Sequence, residues 1–133
     1  MSLVKFLPAW FHAIADYAVG GLLVVGALLT TSAPDKAVAT GVVVGVVVLT
    51  LSMLTKYPLG LVKVVPFPVH SAGDYLATAL LLISPFALGF DGSSGGLDVF
   101  YVIAGVAVLA VSLITNYQYS EKREWSPSRA VAA

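Results

Sequence analysis

The sequence predicts an all-α fold: a bundle of four transmembrane helices made of two helical hairpin repeats inserted in the same orientation. Three observations predict it. Of 133 residues, 59% are hydrophobic and only 11% are charged, a balance foreign to soluble domains. Four apolar stretches (8–30, 37–54, 69–90 and 97–114) each run to about 18 residues or more, as a helix needs to cross ~30 Å of hydrocarbon. The stretch "LVKFLPAWFHAIADY" from Leu3 returns as "LVKVVPFPVHSAGDY" from Leu61, and between 2–17 and 60–75 seven of sixteen positions are identical.

Each element has its own signature. The first stretch follows Lys5 and Pro8, and a proline is tolerated in a first helical turn because its missing N–H has no partner there. A cleaved signal peptide would also begin with a Lys and an apolar run; His12 and Asp16 are odd contents for a signal core, and cleavage would delete one copy of the doubled motif. The second stretch contains "GVVVGVVVLTL" from Gly41, a strand-like composition in water. In a bilayer an open strand leaves its backbone groups unpaired, so helix is expected. The third starts near Pro66 and Pro68, the latter expected to delay it slightly. Pro85 removes a hydrogen bond near its outer end, predicting a kink or an early stop, with Ser84 available to satisfy the freed carbonyl. Phe86 and Phe90 are then expected at the outer interface. The fourth ends in "LAVSLITNY" at Tyr117, matching "LTLSMLTKY" at Tyr57. Residues 1–58 are thus hairpin repeat 1, 59–118 hairpin repeat 2, and 119–133 a polar cytoplasmic tail, with "TSAPDK" and "DGSSGG" as turns.

The chain has no cysteine, which excludes disulfides, thiolate metal sites and thiol redox chemistry. Formal net charge is zero, so no nucleic-acid surface is expected. Lys5, Lys56, Lys63, Lys122, Arg123 and Arg129 share one side of the predicted topology and Lys36 alone takes the other, which places both termini in the cytoplasm. The lipid bilayer is the expected environment; a homo-oligomer or a membrane-protein partner is open.

The polar residues inside the spans carry the functional question. His12 and His70 are the only histidines, and Asp16 and Asp74 are the acidic residues in the interior of the apolar spans. An ionisable group facing lipid costs about 3 kcal/mol or more, so these groups should face the bundle interior. A spacing of four stacks each His over its Asp on one helical face. If helices 1 and 3 meet there, His12, Asp16, His70 and Asp74 converge, with Tyr17 and Tyr75 beside them. One reading is a structural network that fixes helix register. Another is a four-ligand metal site suited to zinc, manganese or iron, or haem held between the two histidines. A third is a proton or ion path. No catalytic residue stands out, and the first expectation is a non-enzymatic membrane protein without cofactor, structural or accessory to a membrane complex. Gly41 and Gly45 permit close helix packing. Tyr57 and Tyr117 are expected as interfacial anchors.

The segment "PFPVHSAGDYLAT" with "LLLISPFALGF" resembles the SPW repeat family of small bacterial integral membrane proteins. The likeness is closest over 61–90 and weaker in hairpin 1. Phe86 stands where the family's Trp is expected, and Gly26 and Ala27 replace Ser-Pro in hairpin 1. The resemblance implies a four-helix protein of the bacterial inner membrane and supplies no catalytic residues.

Overall fold

A computed structural model describes residues 3–117. The described chain is helical: α1 (Ala9–Leu29), α2 (Asp35–Leu54), α3 (Phe67–Ala87) and α4 (Leu97–Ile114). The 119–133 tail, including Lys122, Arg123 and Arg129, lies outside the described residues.

Helix ends depart from expectation in physically legible ways. α2 begins at Asp35, earlier than the apolar run, because Pro34 caps it and the Asp35 carboxylate meets the positive end of the helix dipole. Pro68 does not delay α3, since it sits in the first turn, where no N–H partner is lost. Pro85 does stop α3 early, at Ala87. Beyond it, the Phe90 and Asp91 N–H groups turn back to the Pro85 carbonyl at 2.9 and 3.1 Å, helped by left-handed Gly89 at φ 66°. That reversal corrects the expectation for Phe90: it is fully buried and stands edge-on to Tyr101 at 6.1 Å, in the core. Phe86 stays exposed. Ser84 is buried without a hydrogen-bond partner, so the expected bond to a freed carbonyl does not form.

Helices α1, α2 and α4 are long and apolar enough to cross a membrane. α3 is as long as α1, at 21 residues, and its lower apolarity comes from His70, Ser71, Asp74, Thr78 and Ser84, all buried. The lateral surface is apolar, with Leu22, Val25, Val46, Leu76, Leu80 and Ile103 exposed. That is the pattern of a bundle solvated by hydrocarbon.

The helices form a ring in chain order, α1 packing most closely on α2 and α3 on α4, with α1 and α3 across the centre. Glycines set the close approaches. A Cβ on Gly45 would stand 2.8 Å from the Gly20 carbonyl of α1, and one on Gly41 would collide with Ala27 and the Tyr101 hydroxyl. Both glycines are therefore used within the chain. The Tyr101 hydroxyl crosses the ring and donates to the Ala37 carbonyl at 2.6 Å.

Short extended segments close the ring at the end where the chain begins. The Leu3, Val4, Phe6 and Leu7 N–H groups donate to the Leu113 and Ile114 carbonyls, and the Leu61, Val62, Val64 and Val65 N–H groups donate to those of Met53 and Leu54. Each set includes an isolated parallel bridge, Leu7 with Thr115 and Val65 with Thr55. These bonds satisfy carbonyls that a helix end leaves open. They also fold Tyr57 and Tyr117 under the bundle, where both are buried.

Gly45→Ala is expected to destabilise the bundle by about 1–3 kcal/mol through overpacking. Gly21→Ala, whose Cβ meets nothing within 4 Å, should be neutral; thermal unfolding in detergent checks the pair.

Candidate metal centre

α1 and α3 each place a histidine in the fourth helical position and an aspartate one turn later, both on the inward face. All four residues are at most 7% exposed. His12 Nε2 lies 3.3 Å from Asp16 Oδ1 and 3.2 Å from Asp74 Oδ2. His70 Nε2 lies 3.0 Å from Asp16 Oδ2 and 2.9 Å from Asp74 Oδ1. Each carboxylate therefore spans both imidazoles. One donor atom from each residue can be chosen so that all four lie within 4.8 Å of one another.

Hydrogen bonds at the far side of each ring decide its tautomer. His12 Nδ1 is 2.7 Å from Thr115 Oγ1, and His70 Nδ1 is 2.7 Å from Thr55 Oγ1. A threonine hydroxyl has one proton, and here it is already given to the carbonyl one turn back, Thr115 to Val111 and Thr55 to Leu51, both at 2.6 Å. The hydroxyl oxygen must then accept, so the proton sits on Nδ1 in both rings. In a neutral imidazole that leaves Nε2 as a bare lone pair facing the carboxylates. Both Nε2 atoms are buried, and neither has a hydrogen-bond partner of acceptable geometry, although each lies within 3.3 Å of both carboxylates.

The carboxylates are held from outside as well. Tyr57 donates to Asp16 Oδ2 at 3.1 Å and Tyr117 to Asp74 Oδ2 at 2.6 Å. Burial, and then the neighbouring Asp16, pushes the Tyr57 phenol up. Burial, then Asp74, does the same to Tyr117. Both phenols remain protonated donors.

The predicted cluster thus gains and loses members. His12, Asp16, His70 and Asp74 meet as expected. Tyr17 does not join them: its hydroxyl donates to the Leu59 carbonyl at 2.9 Å. Tyr75 is half-buried, beside Asp74 in sequence. The partners are instead Tyr57 and Tyr117, which the sequence suggested as interfacial anchors, and Thr55 and Thr115. The signal for them was present in the doubled Ser-x-x-Thr-x-Tyr ending of α2 and α4. The structure also discriminates between cofactors. A porphyrin needs an open plane between its two axial imidazoles, and both carboxylates occupy that space, each with oxygens within 3.3 Å of both rings. The set fits one small ion, because two donors bound to the same ion at ~2.0–2.4 Å can stand no more than ~4–4.8 Å apart.

Comparison with known protein families, curated proteins and solved structures finds no match for this chain.

Thr55→Val and Thr115→Val should each cost about 1–3 kcal/mol by stranding a buried Nδ1–H, with nearly equal effects. Thermal unfolding in detergent measures this, and an unchanged melting point in both variants contradicts the tautomer assignment.

Proposed function

We propose that this protein is an integral membrane protein whose bundle is organised around one divalent transition-metal ion held by His12, Asp16, His70 and Asp74. A single observation carries the proposal: two buried Nε2 atoms, their Nδ1 protons committed elsewhere, face two carboxylates without a well-formed hydrogen bond to either. Four acceptors facing one another repel unless a cation lies among them. A divalent ion with two carboxylates and two neutral imidazoles is electrically neutral, which suits an apolar site. The nitrogen and oxygen donor set, without thiolate, favours zinc, iron or manganese. Threonine and tyrosine contacts behind the ligands are the kind that orient metal-binding side chains.

The ion's role is to join the two hairpins, since each supplies one His and one Asp. The doubled motifs support an origin of the halves as two copies of one hairpin. All four helices cross the membrane in this reading, because α3 is long enough and turns its polar residues inward. Lysine placement supports cytoplasmic termini, and the SPW resemblance supports the bacterial inner membrane. The competing arrangement, two imidazoliums with two carboxylates, is also neutral but needs N–H groups aimed at oxygens, and these are misaligned.

Protein purified in detergent without chelator should contain about one equivalent of zinc, iron or manganese per chain. His70→Ala or Asp16→Asn should reduce that to background, and chelation of the wild type should lower its melting temperature. A metal-free preparation indifferent to chelator and to added zinc, iron or manganese sinks the metal reading in favour of the imidazolium network. For topology, Lys56→Cys and Ser93→Cys, both at exposed positions, should react with a membrane-impermeant maleimide from opposite faces of the membrane.

A further inference from the structure

The centre is sealed at its nearer end. Phe67 is 1% exposed and stands edge-on to His12 at 5.3 Å and His70 at 5.8 Å, with Tyr57 and Tyr117 at 5.3 and 4.8 Å. Access, if there is any, must come from a flank.

The two flanks differ. Between α2 and α3, Leu51 lies over Gly73 so closely that an added Cβ would collide with its side chain. Beside it the Ser52 hydroxyl is satisfied, donating to the Val48 carbonyl at 2.8 Å. On the α1–α4 flank the sequence places Val111 where the other half has Leu51, and Ala15 where it has Gly73. A cavity of about 140 Å³ remains there, lined by His12 and Asp16 together with Ala15, Ala107, Val111 and Ser112. Ser112 is fully buried, and its hydroxyl lies beside the Tyr117 phenol without a hydrogen bond of good geometry. His12, whose Nε2 faces the carboxylates of the centre, is also part of the cavity lining.

An apolar cavity of roughly 150 Å³ accepts one benzene ring. Apolar walls facing hydrocarbon bar an ion, and the Ser112 hydroxyl of the lining, without a well-formed hydrogen bond, asks for a hydrogen-bonding atom. We propose that the α1–α4 flank binds a neutral, membrane-soluble molecule about one aromatic ring in size that bears a hydroxyl or carbonyl oxygen. The ring lies against Ala15, Ala107 and Val111, the oxygen bonds Ser112 Oγ, and the molecule reaches the His12–Asp16 side of the centre directly from the bilayer. This deepens the metal reading by naming the ligand class of the same centre, and it rests on that reading for its chemistry although not for the binding itself.

The test is residue-resolved NMR of the full chain in lipid nanodiscs, titrated with 4-fluorophenol and, in parallel, with fluorobenzene. Saturable shifts are expected along the α1–α4 flank alone. Val111→Leu, which copies Leu51, should abolish them, and Ala107→Leu is the second closure should the first not fold. Ser112→Ala should weaken 4-fluorophenol about three- to tenfold and leave fluorobenzene unchanged, as expected for loss of one hydrogen bond. Equal shifts on both flanks, shifts that persist in the closed variants, or none at all overturn the proposal, the last meaning a cavity that holds only water or acyl chain. Metal content of the same samples separates the two readings. Metal-free protein that binds on this flank removes the metal and keeps the ligand site; metal-loaded protein that binds nothing there does the reverse.

Discussion

Mutual repulsion among four electron-rich groups in an apolar interior is the constraint on which the rest of this structure depends. Two imidazole nitrogens and two carboxylates converge at separations of 2.9–3.3 Å, where water cannot screen them. Positive charge must reside among them, as one ion or as two protons. Everything around the centre works to fix where that charge goes: threonine hydroxyls take the outer imidazole protons, phenols hold the outer faces of the carboxylates, and Phe67 excludes solvent at the near end. An unpaired buried charge here would cost several kcal/mol, so the surrounding residues are as constrained as the four at the middle.

The hydrogen bonding is reciprocal between the halves. His12 of the first hairpin is oriented by Thr115 of the second, and His70 of the second by Thr55 of the first. Tyrosines follow the opposite rule, Tyr57 serving Asp16 and Tyr117 serving Asp74, each within its own hairpin. Neither hairpin alone offers a complete set of ligands with their supports. Hydrophobic burial cannot specify helix register inside a bilayer, because lipid tails are as apolar as leucine; the crossed contacts supply that specification.

Sequence reasoning went furthest where one force dominates. Apolar length gave the four helices, and the cost of an ionisable group in lipid pointed His12, Asp16, His70 and Asp74 inward. It went astray where two roles compete for one residue type. Tyr57 and Tyr117 sit at helix ends, where aromatic anchoring is the usual outcome, yet the chain leaves each helix in an extended conformation at Thr55 and Thr115 and doubles under the bundle. Tyr17 and Tyr75 follow the aspartates in sequence, but a step of one residue rotates a helical side chain by ~100°, away from the shared face. Phe90 was expected at the interface for a similar reason, since the reversal after Pro85 that buries it depends on backbone bonds that composition does not reveal. The cavity beside α4 was out of reach altogether: it depends on how closely side chains such as Leu51 and Val111 cover each flank.

The tie between the chain's opening segment and the far end of α4 bears on biosynthesis. Leu7 bridges to Thr115, and the hydroxyl that orients His12 lies 103 residues downstream of it. While the ribosome is still synthesising α4, Thr115 does not yet exist, so the imidazole of the first hairpin is unsupported and its leading segment unanchored. The last helix to be inserted is therefore the one that locks the first, and a nascent chain arrested before Thr115 carries an unfinished centre into the bilayer.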